Sequence, residues 1–259
     1  MGMGRYYKHV SLLFFWGIAI FALIAPYSLY SQKFERFSNE QGFNQNTINS
    51  IVQDRYGFLW FGTPNGLIRH DGYEFKTYTT QSNSNGNILS NDIKQLFTDS
   101  EGLLWIGTTL GLNVYIPSLE KFLTVPLDRR LIISRIGSGP DGRIWFSGEN
   151  RLYVCQLTDV QNGVFQVSQN VLEPHPEVPY LNDFSFRDKN SLVLATSKGL
   201  WNLALGKGVS DGDMEIKALA QFKALENEVV TTLINRNNIF WIGTERGLYK
   251  ATLDGEKAH

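Results

Sequence analysis

From about Gln32 onward the hydrophobic positions fall in short runs broken by Gly, Asn, Asp and Ser. That is the pattern of strands joined by tight turns, and no stretch keeps apolar residues at the spacing of an amphipathic helix. In the first complete unit it predicts strand a over Ile48 to Gln53, b over Phe58 to Thr63, c over Gly66 to His70 and d over Glu74 to Thr79. Turns fall at Arg55-Tyr56-Gly57 and at Asp71-Gly72.

The unit recurs. DRYGFLWFGTPNGL, from Asp54 to Leu67, returns as DSEGLLWIGTTLGL from Asp99 to Leu112. Weaker copies are PDGRIWFSGENRL ending at Leu152 and KNSLVLATSKGL ending at Leu200, and a fifth, RNNIFWIGTERGL, ends at Leu248. With Trp60, Trp105, Trp145, Val193 and Trp241 as origins, the spacings are 45, 40, 48 and 48 residues. Seven residues on stands Leu67, Leu112, Leu152, Leu200 or Leu248; twelve residues back stands Ile48, Ile93, Ile133, Leu181 or Val229. Two residues on is always a small residue: Gly62, Gly107, Ser147, Ala195 and Gly243.

Four antiparallel strands repeating every 40 to 48 residues predict an all-β fold, a β-propeller of about five four-stranded blades. Irregular strands of a sandwich would not hold these columns in register. Blades are expected over residues 45–80, 90–125, 130–170, 178–222 and 226–253. The Trp column should pack on the next blade, since one sheet cannot bury both faces alone, and the small column should leave room for close approach. Glycine before Leu suits a b–c turn at positive φ; Arg151 breaks that column, so blade three should turn differently.

Phasing at the ends leaves two arrangements. Residues 32–38 read as an outer d strand without a blade of its own, and the fifth unit stops after its c strand near Leu253, leaving 254–259 as a tail. Either that first strand closes a five-blade ring and removes an exposed sheet edge, or the blades form an open arc of a larger propeller.

Composition alters this little. Hydrophobic residues at 42% and aromatics at 13% suit a packed globular body. A net charge of −1 without a Lys/Arg run argues against nucleic acid as partner. Residues 1–31 read as a signal peptide: Arg5, Lys8 and His9 lead into the apolar run at 10–25, and polar residues follow. An uncleaved membrane anchor is the alternative, the 16-residue run being just short of the roughly 20 that span a bilayer. A periplasmic or secreted location follows, with membrane contact only through an uncleaved segment. Cys155 is the single cysteine and reads as a core residue, not a nucleophile.

Motifs that carry chemistry are scarce. Asp54, Asp99 and Asp141 precede Gly57, Gly102 and Gly142 but supply too few oxygens for calcium loops; they read as turn caps. His70 and Asp71, as neighbours on a strand, point to opposite faces and form no dyad. No nucleophile elbow, zinc motif or Cys/His cluster is present, so no catalytic residue, metal or cofactor is assigned. Carboxylates converging from different blades stay open as a route to glycoside cleavage.

A four-stranded meander places the b–c turns and the d–a links on one face. The turns carry the variable pairs Pro64-Asn65, Thr109-Leu110, Glu149-Asn150, Ser197-Lys198 and Glu245-Arg246 between repeating flanks. Their polar members Asn65, Thr109, Glu149, Asn150, Lys198, Glu245 and Arg246 are the candidate ligand-binding residues, on the ground that loops on a rigid scaffold carry binding. Plain solvated turns are the alternative.

INSIVQDRYGFLWFGTPNGLIRHDGYEF, from Ile48 to Phe75, resembles the two-component regulator propeller repeats of Bacteroidetes hybrid sensor kinases, and KFERFSNEQGFNQNTINS resembles the start of such sensors. The resemblance covers residues 32–253, strong in blades one, two and five and weak in three and four. It implies an extracytoplasmic sensor that binds a glycan or other small molecule, with a sensor kinase or further propeller blades as partners. None of His9, His70, His175 and His259 sits in a phosphoacceptor setting, so no enzymatic activity is expected of this chain. A propeller-fold polysaccharide lyase or glycosidase and a truncated, non-binding remnant are the rival readings.

Overall fold

The computed structural model describes residue 37 and residues 42–82, 86–172, 180–206, 216–223, 225–254 and 257–258. The expected signal peptide, His175 and, apart from Phe37, the expected closing strand at 32–38 lie outside them. The chain divides into two compact units, Met1–Phe37 and Ser38–His259, and every strand among the described residues belongs to the second.

Five separate four-stranded antiparallel meanders follow one another. Blade one holds β1 (Ser50–Gln53), β2 (Leu59–Thr63), β3 (Gly66–His70) and β4 (Phe75–Tyr78). Blade two holds β5 (Ile93–Thr98), β6 (Leu104–Thr108), β7 (Leu112–Ile116) and β8 (Lys121–Thr124), with a 3-10 turn at Pro117–Leu119. Blade three holds β9 (Arg135–Ser138), β10 (Ile144–Gly148), β11 (Arg151–Asp159) and β12 (Val164–Leu172). Blade four holds β13 (Leu181–Asp188), β14 (Ser191–Thr196), β15 (Gly199–Leu205) and β16 (Ile216–Gln221). Blade five holds β17 (Val230–Arg236), β18 (Ile239–Thr244), β19 (Gly247–Asp254) and β20 (Lys257–Ala258). This is the propeller fold that the columns predict.

Blade five differs from expectation in two details. Its fourth strand comes from the residues read as a tail: β20 pairs Ala258 with Leu253 and Lys257 with Asp254, because an open strand edge takes up the nearest extended segment. The buried aliphatic position at the start of its first strand is Val230, not Val229. Asn237 and Asn238 sit at positive φ (53° and 62°) in a two-residue a–b turn, one residue tighter than the Asp-led turns, which moves the column by one.

The core lies between blades. Trp60 and Leu67 of blade one pack with Ile93, Leu96, Leu104 and Ile106 of blade two in one cluster. Trp105 and Leu112 meet Ile133, Ile136 and Phe146 in a second, Trp145 and Leu152 meet Leu181 and Phe184 in a third, and Val193 and Leu200 meet Val230 and Leu233 in a fourth. Each fully buried Leu or Ile contributes about 1.5–3 kcal/mol. The small column makes the approach possible: a Cβ on Gly62 would stand 2.8 Å from Ile93 Cγ2, and one on Gly107 2.7 Å from Ile133 Cγ2. Each blade thus has a trailing face carrying Trp or Val, the small residue and Leu, and a leading face carrying a hydrophobic pair from its first strand.

At the two ends these faces are uncovered. Trp60, Trp105 and Trp145 are 1% exposed but Trp241 is 39% exposed; Leu67, Leu112, Leu152 and Leu200 are 0% exposed but Leu248 is 68% exposed. On the leading side Ile51 is 55% exposed, against 2% to 8% for Leu96, Ile136, Phe184 and Leu233. The first and last blades therefore do not pack on each other, which fits the open arrangement and not a closed five-blade ring. Phe43, in the segment before β1, covers part of blade one instead, with its ring 5.4 Å from that of Phe61 and 5.2 Å from that of Phe75.

The turn aspartates act beyond the turn. Asp54 Oδ1 accepts the N–H groups of Tyr56 and Phe58 (2.9 and 3.0 Å), while Oδ2 accepts the indole N–H of Trp60 at 2.8 Å. Asp99 does the same for Glu101, Leu103 and Trp105 (3.0, 2.9 and 2.7 Å). The position six residues before Trp145 is Gly139, so Asp141 is not the third member of this set. Gly139 keeps the backbone turn, accepting from Gly142 at 3.0 Å, but Trp145 Nε1 has no acceptor among the described residues. Asp141 instead takes the Arg143 Nε at 2.7 Å at the surface.

A second buried carboxylate, Asp183, ties three blades. It receives Arg135 of blade three in a fork (2.7 and 2.6 Å) and the Thr232 hydroxyl and Leu233 N–H of blade five (2.9 and 2.8 Å). Its side chain is 2% exposed, so no water replaces what a lost partner supplied.

Two stability predictions follow. Asp99→Ala strips the acceptor from two turn N–H groups and an indole and should lower the unfolding free energy by about 2–4 kcal/mol, whereas Asp141→Ala should cost less than about 1 kcal/mol. Denaturant titration of the two variants checks this, and equal costs would contradict it. Asp183→Ala leaves a guanidinium and two donors unanswered between blades and should cost about 3–5 kcal/mol. Glu228→Ala, which breaks the exposed Arg246 pair, should cost less than about 1 kcal/mol in the same assay.

Candidate functional site

The b–c turns are built by one repeated device. The hydroxyls of Thr63, Thr108, Thr196 and Thr244 donate to the carbonyls of Gly66, Gly111, Gly199 and Gly247 at 2.8 to 3.1 Å, and each accepts the N–H two residues on at 3.1 Å. Thr at the end of strand b was present in the repeat, but its closing role was not legible without the turn geometry. Blade three has Gly148 there, where a Cβ would stand 2.3 Å from the Ile132 carbonyl, so no Thr fits. Its turn is a different one, with Glu149 and Asn150 both at positive φ, 49° and 65°.

The turns lie beside the links that lead into each first strand. Asn65 Nδ2 donates to Gln45 Oε1 at 2.9 Å, and Thr109 Oγ1 lies 2.9 Å from Ser90 Oγ. Asn150 Oδ1 accepts the Leu181 N–H at 2.6 Å, the Lys198 carbonyl accepts Gln221 Nε2 at 2.9 Å, and Arg246 pairs with Glu228 at 2.7 Å. Among the described residues, these turn groups are thus bonded to neighbouring links and strand ends. Asn65, Thr109, Asn150 and Arg246 spend side-chain groups on holding the face together, while the side chains of Glu149, Lys198 and Glu245 are exposed on it.

A concavity opens on this face among the described residues. A cleft of about 340 Å³ lies between the blade-two turn and the link into blade three. Leu89, Leu110, Val125 and Leu127 supply apolar walls, and Asp128, Arg129 and Arg130 supply charge. Arg129 Nε stands 3.8 Å from Asp128, a loose contact that leaves its donors accessible. The sequence reading missed these link residues, since d–a links carry no repeat column; only the Thr109-Leu110 pair pointed to the spot.

The groups with chemical potential elsewhere are held in structural roles. Burial pushes the Cys155 thiol up, opposite to what an activated nucleophile needs. Burial, reinforced by Tyr78, pushes the Tyr115 phenol up to about 12 within the aromatic packing of Trp60, Tyr78 and Phe122. His70 Nδ1 contacts the Glu74 carbonyl at 3.1 Å and its ring stacks on Phe75, whereas Asp71 accepts the N–H groups of Glu74 and Tyr73, which lower its carboxyl. The two do not form a dyad. Among the described residues no three of His, Cys, Asp and Glu gather closely enough to hold a metal ion, and no helix is long and apolar enough to cross a membrane.

Comparison with known proteins adds a family resemblance over part of the chain. The model of the two-component regulator propeller family matches residues 42–65 and 87–109. Over 45 residues, 17% of this chain, the sequence is 42% identical to histidine kinase P4 of Formosa agariphila, of which it covers 3%. The extracellular domain of the hybrid two-component system BT3049 from B. thetaiotaomicron is 26% identical with a TM-score of 0.65, over 87% of this chain and 31% of that one. PorZ, a surface component of the type-IX secretion system of Porphyromonas gingivalis, is 15% identical with a TM-score of 0.58, over 82% of this chain and 33% of that one, and shows the fold alone. The chain spans about a third or less of each of these relatives. Two segments of the chain thus match the two-component regulator propeller repeat, and its fold is similar to that of a hybrid two-component system's extracellular domain.

Proposed function

We propose that this chain is the extracytoplasmic ligand-sensing propeller of a two-component regulatory system, and that its ligand is an oligosaccharide taken on the b–c turn face. The cleft beside Leu110 carries the reading. It joins leucine walls, on which the C–H face of a sugar ring packs, to Asp128, Arg129 and Arg130, whose groups suit hydroxyls or a ring carboxylate. Its volume of about 340 Å³ suits one or two sugar rings. The extracellular position of the related domain and the signal-like first 31 residues support the location. The phosphorelay chemistry belongs in this reading to a kinase that the propeller instructs, and fold alone does not carry function.

A panel of neutral and uronate-bearing oligosaccharides, scored by thermal shift, tests this. Ligand at 100 times its Kd stabilises the folded chain by about 2.7 kcal/mol, so one glycan class should raise Tm by several degrees. Arg129→Ala with Arg130→Ala, or Leu110→Asp, should remove that shift and leave the ligand-free Tm unchanged. A panel without effect, or a shift that survives both variants, would contradict the proposal. Release of shortened products in the same incubations would instead favour the lyase or glycosidase reading.

A further inference from the structure

We propose that the two uncovered end faces are two halves of one joint, and that two copies of this chain dock head to tail, the trailing face of blade five on the leading face of blade one. Four internal joints define what each half must contain. The trailing half offers a small residue flanked by Trp or Val and by Leu; the leading half offers a hydrophobic pair from the first strand. Blade five presents Trp241, Gly243 and Leu248 in those positions, and blade one presents Ile48 and Ile51.

Both halves keep joint residues exposed. Ile234, Trp241 and Leu248 are 51%, 39% and 68% exposed, and Ile48 and Ile51 are 40% and 55% exposed. At Gly62 and Gly107 the nearest neighbour is an isoleucine of the next blade, but at Gly243 the three nearest atoms belong to Thr231 and Thr232 of its own blade. Phe43 covers Phe61 and Ile68 of blade one and leaves the first-strand pair open. That pair corresponds to the residues that make the close approach at the internal joints: Ile93 and Leu96 over Gly62, Ile133 and Ile136 over Gly107. Phe61, the counterpart of Ile106 and Phe146 in the internal joints, is thus already capped by Phe43, and the first-strand pair is the part of the leading half left for a second copy.

The contact is heterologous, one surface meeting a different surface, and this gives it a signature that a symmetric patch lacks. Ile51→Glu spoils only the leading half and Leu248→Glu only the trailing half. Both positions are exposed, so each variant should keep the Tm and circular dichroism of the parent.

Sedimentation of the full chain, kept dispersed in a mild non-ionic detergent, should show association that rises with concentration. Each variant alone should be monomeric over that range, with association weakened at least about tenfold, the equivalent of about 1.4 kcal/mol. An equimolar mixture of the two should recover a one-to-one dimer, because each retains the half the other lacks. A parent chain monomeric throughout, variants that associate like the parent, or a mixture that fails to pair would each overturn the proposal.

Discussion

A blade of four strands has two faces and too little substance to bury both. Everything else in this protein follows from how that constraint is met. The solution is one joint used four times: a tryptophan or valine and a leucine on the trailing face, a small residue between them, and a hydrophobic pair from the next blade's first strand pressed into the space. Because close approach depends on a missing or minimal side chain at Gly62, Gly107, Ser147 and Ala195, the joint tolerates wide change elsewhere. Blade four replaces the Trp with Val193, and its turn aspartate, Asp188, caps only the turn through Asn190 and Ser191, yet the blade keeps its place. Where no neighbour exists, the same residues stand in solvent.

Polar groups refine this arrangement. In blades one and two an aspartate serves its own turn and the Trp of the joint at once, so the a–b turn and the core are set by one side chain. Asp183 works at larger range, with Arg135 on one side and blade five on the other. On the b–c face, Thr hydroxyls close the turns and side chains of the variable pairs reach the links. This bonding takes up much of the polar capacity first assigned to ligand, and leaves the cleft between turn and link as the place where apolar wall and charge meet.

The sequence declared the fold because its information is periodic: columns forty to fifty residues apart survive even where single repeats decay. What lay off the columns was hidden. Asp183 occupies a position where other blades carry Ser50, Gln95 and Arg135, so nothing in the repeat marks it as a hub. Asp141 looks like Asp54 and Asp99 on the string, yet falls two residues away from their position, and Gly139 stands in its stead. Val229 and Val230 are indistinguishable until the Asn237-Asn238 turn fixes the register. Of the proposed cleft, the repeat marks only the Thr109-Leu110 turn; Leu89, Leu127, Arg129 and Arg130 come from links whose course only tertiary structure reveals.

The claim that the joints run in an open row can be read out residue by residue with hydroxyl-radical footprinting of the full chain, dilute enough to be monomeric. The account predicts strong labelling of Trp241, Leu248 and Ile51 and protection of their counterparts Trp105, Leu112 and Leu96. Protection of Trp241 and Leu248 equal to that of Trp105 and Leu112 would mean that the last face is covered within a single chain, and would contradict it.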